Sequence, residues 1–377
     1  MRIEGVECYV ASHWAFVRVI TEAGIDGIGE ATYFPHPTAV RAVIDDLRGE
    51  LVGQDAFRPE FLFQRAFKHH CIRDAVLMAA LSAVDQALWD IKGKALGVPV
   101  WQLLGGRVRD KVRAILLLEA GTEAVLVEQA IVAGDEGFTA IKIKPFLDDW
   151  HRQPMARMMR SAIGAVEAVR EAVGWDIDIA IEMHRNLTPD LAVVFAAAAA
   201  RISPYFLEDP ILPYSVAANA SVAGRMAGPV AVAERNTNIW EFREFSDCHA
   251  VSILRPDVGL AGGFTQMRKI AAIAESRHQR IVPHNFTAPV STACHIQLAA
   301  CTPNWDVQGY VREDRDPWNR VTSHINRIKN GYLIIPDAPG IGMTLDLEYL
   351  AGAAYVPFGT KFPDGPVRAA DGGIKHQ

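Results

Sequence analysis

Residues 176–186 read DIDIAIEMHRN, residues 205–210 read YFLEDP and residues 229–236 read PVAVAERN. Each is a short apolar run that closes on an acid: Glu182, Glu208 and Glu234. The steps from 182 to 208 and from 208 to 234 are both 26 residues. A step of that length holds one strand, one helix and two short loops. Three acids on successive βα units arrive at the same rim of a parallel barrel. Hard oxygen ligands converging there suit Mg²⁺, which keeps its other positions for water and an anionic substrate. The pattern points to an enzyme acting on a carboxylate.

The same rhythm extends to either side. Candidate strands fall at Ala114–Leu118, Ala140–Lys144, Ile177–Met183, Tyr205–Glu208, Val230–Glu234, Val251–Leu254, Ile281–His284 and Asp306–Gln308, with helical segments between them. Eight such units over residues 113–340 fit a (β/α)8 barrel. An open doubly wound sheet is the alternative, but it would gather ligands at one switch point and not on consecutive strands. Gly259–Gly263 (GLAGG) follows a strand yet lacks the spacing of a dinucleotide-binding loop. Residues 1–112 read differently. Strands at Arg2–Val10, Ala15–Thr21 and Ile25–Ala31 precede helices at Thr38–Leu51, Arg58–Phe67 and Asp74–Leu96, an α+β order. The last helix is expected to be amphipathic, with Leu77, Leu81, Val84, Leu88 and Ile91 at three- and four-residue steps. Residues 341–377 are expected to pack back on this N-terminal unit.

The 377 residues are 50% hydrophobic and 22% charged, with a net charge of −6. That balance gives no global attraction to phosphate backbones or anionic membranes. No basic run with interleaved aromatics is present, so neither nucleic acid nor a membrane is expected as a partner. No apolar run reaches about 18 residues, the length of a membrane span. Charge inside the first apolar stretch, MRIEGVECYV, argues against a signal peptide. Five cysteines without a CxxC pair read as reduced thiols, and a cytoplasmic location is expected.

Ile141-Lys142-Ile143-Lys144 alternates strictly, so both lysines share one strand face. In a barrel the isoleucines meet the helices and the lysines point inward. A lysine beside a metal ion and a second lysine is driven toward its neutral form and becomes a usable base. Along residues 177–184, Asp178, Ala180, Glu182 and His184 share the inner face. Asp257 and His284 close the sixth and seventh strands, 27 residues apart. An Asp beside a His sets its tautomer and makes it a competent base.

Together these residues resemble the mandelate racemase subgroup of the enolase superfamily. The stretch LSAVDQALWDIKGKALGVPVWQLLGG (81–106) is similar to that family's capping-domain helix and linker, and KIK, FLEDP, AER, RPDVGLAGG and VPH follow in the family's order. The resemblance implies an α/β fold, a modified (β/α)8 TIM-type barrel with an N-terminal α+β capping domain. Within the subgroup the chain is most similar to galactonate-dehydratase-type sugar acid dehydratases, which place a histidine where His184 stands. That resemblance implies Mg²⁺ held by Glu182, Glu208 and Glu234. It implies a sugar acid flanked by Lys144, with Lys142 beside it, on one face and by His284, oriented by Asp257, on the other. His184 becomes the acid for a leaving hydroxyl. A homo-oligomer is implied as well. His13, Trp14, Tyr33, Arg185, Asn236 and Asn285 are expected to contact the substrate. Two positions depart from the family pattern. Glu182 stands where an Asp is more usual. Gly309 stands where the eighth strand commonly carries a Glu, with Gln308 and Asp306 as polar substitutes. The expected product is a 2-keto-3-deoxy acid, formed through an enediolate. An epimerase, a sugar-lactone cycloisomerase and an inactive metal-binding barrel are the alternatives.

Overall fold

Apolar alternation in the first 31 residues builds an antiparallel sheet of β1 (Ile3–Ala11), β2 (Trp14–Thr21) and β3 (Asp26–Ala31). This is a computed structural model, and it describes residues 1–34, 36–147, 150–357 and 368–374. Helices α1 (Pro37–Leu51), α2 (Pro59–His69) and α3 (Ala75–Leu96) complete the cap. α3 starts where the Asp74 carboxylate accepts from Leu77 N at 2.9 Å and ends at Gly97 in the left-handed conformation, φ 69°. Leu77, Leu81, Val84, Leu88 and Ile91 are buried, but so are Ser82, Asp85, Gln86 and Asp90. α3 is therefore not a surface amphipathic helix. Its polar side faces the barrel.

The barrel strands are β4 (Lys111–Leu117), β5 (Ala140–Ile143), β6 (Asp178–Glu182), β7 (Leu207–Glu208), β8 (Val230–Val232), β9 (Ile253–Leu254), β10 (Arg280–Ile281) and β11 (Gln308–Tyr310). Parallel pairing runs without a break from β4 to β10. β11 pairs with β4, and a bridge from Trp305 to Ile281 joins the approach of β11 to β10. The ring thus closes through one bridge and not through a full ladder. Its middle is a layer of Ile115, Ala140, Ala180, Phe206, Ala231, Ile253, Val282 and Val307, one residue from each strand or its flank. A following hairpin, β12 (Ile328–Lys329) and β13 (Tyr332–Ile334), lays β13 antiparallel on the N-terminal half of β4. The sequence reading did not include this strand pair.

Cap and barrel are joined by buried carboxylates at helix N-termini, where unpaired N–H groups need acceptors. Glu30 accepts from Ala288 N at 2.7 Å and Ser291 N at 2.9 Å, at the start of helix Pro289–Cys301. Asp85 accepts from Thr265 N at 2.9 Å in the first turn of helix Gly263–Glu275. Gln86 donates to Glu30 O at 2.9 Å and to Val258 O at 3.1 Å, stitching β3 to the loop after β9. The GLAGG run now has a physical reason. A Cβ on Gly259 would lie 2.4 Å from Thr32 Oγ1, and one on Gly263 (φ +66°) 2.4 Å from Asp85 Oδ2. These glycines let the cap approach.

After the barrel the chain returns to the cap. Ile341 N donates to Asp90 Oδ1 at 2.8 Å, Gly340 bridges Pro99, and Tyr355 bridges Ser12. Residues 358–367 and 375–377 of the expected C-terminal segment lie outside the described residues. Among the described residues no helix is long and apolar enough to cross a membrane.

Candidate active site

At the C-terminal rim the backbone turns left-handed beside each acid. His184 (φ 51°), Arg185 (63°), Asp209 (43°) and Ala233 (82°) are four of the eight non-glycine residues with positive φ among those described. Such conformations cost energy and gather at functional sites. They also explain why strand periodicity overran. β8 stops at Val232 and β6 at Glu182, because a left-handed residue cannot continue the ladder.

One oxygen each of Glu182, Glu208 and Glu234 lies within 4.8 Å of the others. Glu182 is 3% and Glu208 0% exposed. Counter-charges surround them. Lys142 Nζ donates to Glu182 Oε2 at 2.8 Å and to Glu208 Oε1 and Oε2 at 2.8 and 3.0 Å. Arg255 Nε stands 3.0 Å from Glu208 Oε1. Arg185 donates to Asp209 Oδ2 at 2.6 Å and also to Glu234. Even so, Glu182 Oε1 is buried without a hydrogen-bond partner. Three converging carboxylates, one with an unsatisfied buried oxygen, fit a hard divalent cation.

The local fields are strong. Burial opposes the Lys142 charge, but Glu182 and Glu208 outweigh it and hold its pKa above the usual lysine range. Burial pushes Glu208 up to about 7 against the pull of Arg255. Glu234, although buried, is brought down to about 2 chiefly by His284. Burial and the nearby Lys144 bring His184 down to about 4.

Across the rim, His284 Nδ1 lies 2.7 Å from Asp257 Oδ2, and His284 Nε2 lies 3.7 Å from Glu234 Oε2. One ring nitrogen is thus held while the other faces the acids. Asp257 is fully buried, and its Oδ1 accepts from Gly259 N at 2.7 Å and from Thr32 Oγ1 at 2.9 Å. Thr32 comes from the cap, directly after β3. Below the dyad, fully buried His295 accepts from Val258 N at 3.1 Å, and burial lowers its pKa to about 4.

The other sequence candidates separate. Lys144 is half-buried, close enough to act on the charge of Glu182 and His184. The His13 ring meets Phe34 at 5.0 Å, Phe34 meets Phe286 at 5.9 Å, and Phe286 meets His284 at 4.8 Å. An aromatic path therefore leads from the first cap loop to the dyad. Trp14 is 6% exposed and packs on Phe16 and Trp318. Tyr33 packs against the cap core. Asn236 is 9% exposed at the turn after Ala233. Asn285 donates to Thr292 Oγ1 at 2.9 Å and to Gly309 O at 3.0 Å, tying the loop after β10 to β11.

The place of the missing acid is also clarified. Asp306 cannot substitute, because it pairs with Arg280 at 2.6 Å at the N-terminal end of the strands. Gln308 Nε2 is engaged with Gly309 O at 2.9 Å. A buried carboxyl absent from the sequence reading, Glu313, lies four residues past Gly309. It accepts from Asn326 N at 3.0 Å, and burial pushes it up to about 7. Arg255 and Asp209 were also missed, although each sits inside a quoted motif. Thr32 carried no local signal.

The geometry agrees with comparison to known proteins. A family model described as enolase C-terminal domain-like matches residues 125–350, and one for the mandelate racemase / muconate lactonizing enzyme N-terminal domain matches residues 6–105. A D-galactonate dehydratase of Verminephrobacter eiseniae (strain EF01-2) is 31% identical over 354 residues, covering 92% of each chain. A D-xylonate dehydratase of Haloferax volcanii is 32% identical over 348 residues, covering 89% of this chain and 84% of that one. An enolase from Agrobacterium radiobacter, solved with sodium and L-malate bound, superposes with a TM-score of 0.93 at 26% identity, over 100% of both chains. Matched across both domains and with the acids, lysine and dyad assembled at one rim, the chain belongs to the mandelate racemase/muconate lactonizing enzyme family of the enolase superfamily.

Proposed function

We propose that this protein is a Mg²⁺-dependent sugar acid dehydratase. It takes the α-proton from a polyhydroxy carboxylate, expels the β-hydroxyl as water and releases a 2-keto-3-deoxy acid. The observation that carries this reading is the meeting of a buried carboxylate triad with a His–Asp dyad and two lysines at one rim. Relatives named as dehydratases of sugar acids, aligned over most of the chain, support it.

Glu182, Glu208 and Glu234 would hold the ion. When bound, Mg²⁺ supplies positive charge that acidifies the Cα–H of the substrate carboxylate. The remaining work belongs to side chains. In the ring, β5 lies beside β6 on one side of the acid-bearing β6, β7 and β8, and β10 lies beyond β9 on the other, so Lys144 and His284 approach a substrate from different sides. One of the two takes the α-proton. For His284, Asp257 holds Nδ1 and leaves Nε2 to accept. Lys142 and Arg255 place fixed positive charge by the triad, where enediolate oxygens form. His184, kept neutral in the free protein by burial and Lys144, takes up a proton from water as substrate binds and gives it to the β-hydroxyl as its C–O bond breaks, and the enol tautomerises. Atoms balance with the loss of one water and no redox change. Arg185, Asn236 and Asn285 give the rim donors for a hydroxylated chain.

The test is a screen of sugar mono- and diacids with Mg²⁺ in D₂O, read by semicarbazide absorbance and proton NMR. A 2-keto product is expected. Exchange of the α-proton without a keto product would assign an epimerase or cycloisomerase. Neither exchange nor product would assign a binding barrel. Lys144→Met and His284→Asn identify the base, because only loss of the acting base removes α-exchange.

A further inference from the structure

We propose a second metal site on the cap, for a borderline transition-metal dication such as Zn²⁺, held by Glu50, His69 and His70. Glu50 is the penultimate residue of α1, His69 is the last of α2, and His70 is the C-cap of α2. Both imidazoles converge on one carboxylate oxygen. His69 Nδ1 lies 3.1 Å and His70 Nε2 3.2 Å from Glu50 Oε1. The three residues' ligand atoms all lie within 4.8 Å of one another. Tetrahedral zinc with bonds of about 2.0–2.1 Å sets its ligand atoms about 3.3 Å apart. The observed spacings are close to that edge length.

Two further observations point to a cation. Glu50 Oε2 is buried with no hydrogen-bond partner, so this carboxylate is incompletely satisfied by the two histidines. The C-terminal ends of α1 and α2 also meet here, and their carbonyl ends favour positive charge. Arg73 takes part of that role by donating to Phe67 O at 2.8 Å, but it stacks over the Phe67 ring.

The donor chemistry selects the metal. Two imidazoles and one carboxylate form a nitrogen-rich set that suits Zn²⁺ and its neighbours and disfavours Mg²⁺, which wants oxygen. The His69 side chain is 70% exposed, so solvent can reach the fourth position. The all-carboxylate triad at the barrel rim has the opposite preference, and the two sites would sort metals by ligand type. Occupancy would clamp the end of α2 to α1. Phe67, on that same turn of α2, stacks on Trp240 of the barrel helix Ile239–Asp247 at 5.5 Å. The clamp therefore stiffens a cap segment that rests on the barrel, whatever reaction the barrel performs.

The experiment uses the full chain carrying Cys71→Ser, which removes the exposed thiol beside His70. It is stripped with chelator and then saturated with Mg²⁺ to occupy the barrel acids. Zn²⁺ is titrated by calorimetry, Co²⁺ by visible absorption, and melting is followed with and without Zn²⁺. One saturable equivalent is expected, with tetrahedral cobalt bands and a raised Tm. His69→Gln and His70→Gln should each weaken binding by more than about tenfold and abolish the Tm rise, with the zinc-free Tm unchanged. The proposal is overturned by the absence of saturable binding. It is equally overturned if binding survives both histidine substitutions or is lost instead in Glu208→Gln.

Discussion

Replacing Thr32 by valine tests whether the cap positions the Asp257–His284 dyad. The Thr32 hydroxyl donates to Asp257 Oδ1 at 2.9 Å, Gly259 N donates to the same oxygen at 2.7 Å, and Asp257 Oδ2 holds His284. Valine keeps the shape and removes one of two donors from a fully buried carboxylate oxygen. A hydrogen bond to a charged acceptor contributes about 1.5–3 kcal/mol. If that loss falls on the alignment of His284, kcat drops by about 10- to 150-fold, at about 1.4 kcal/mol per decade. KM should change little, because the hydroxyl serves Asp257 and not the acid triad. The fold should persist, since the backbone bond from Thr32 N to Gly259 O at 2.8 Å remains. The assay is keto-acid formation from the substrate found in the screen, with α-deuterium exchange measured in parallel. Thr32→Ser restores the hydroxyl and should recover most of the rate. A valine variant with wild-type kcat would refute the reasoning, as would a loss that serine does not repair.

Other outcomes follow from the same contacts. Glu182→Gln and Glu234→Gln should each abolish the Mg²⁺-induced rise in Tm seen in the parent, a readout that needs no substrate. Gly263→Ala should destabilise by about 2–4 kcal/mol in chemical denaturation, because the added methyl meets Asp85 and the residue sits at φ +66°. Glu313 has a folded pKa raised to about 7 by burial, above its unfolded value. Its contribution to stability is present at acidic pH and lost as pH rises through about 7. Glu313→Gln keeps an acceptor for Asn326 and should flatten the fall of Tm between about pH 5 and 8. An unchanged slope would remove Glu313 as its cause.

Much of the site was legible because strand geometry is local. A two-residue period places Lys142 with Lys144 and Glu182 with His184, and equal steps along a βα chain bring successive strand ends to one rim. Legibility failed where backbone periodicity is broken or irrelevant. The left-handed turns at His184, Arg185, Asp209 and Ala233 cut strands short. Asp306 lies just before β11 and pairs with Arg280 at the end away from the triad, a matter of height along the barrel that periodicity does not report. Trp14 opens β2 and packs against Trp318, a contact between distant parts of the chain that periodicity does not report either.

Spacing along the chain alone pointed to the α+β cap, the eight strand–helix units, the three acids, the lysines and the Asp257–His284 pair. Each rests on spacing that a short stretch of backbone enforces. The folded chain is needed to see that Thr32 holds Asp257 from 225 residues away, and that Glu30 and Asp85 cap barrel helices from the cap. It alone showed that β13 lies on β4 and that Glu50 meets His69 and His70. Those contacts depend on where the whole chain returns in space, and no local period encodes that path.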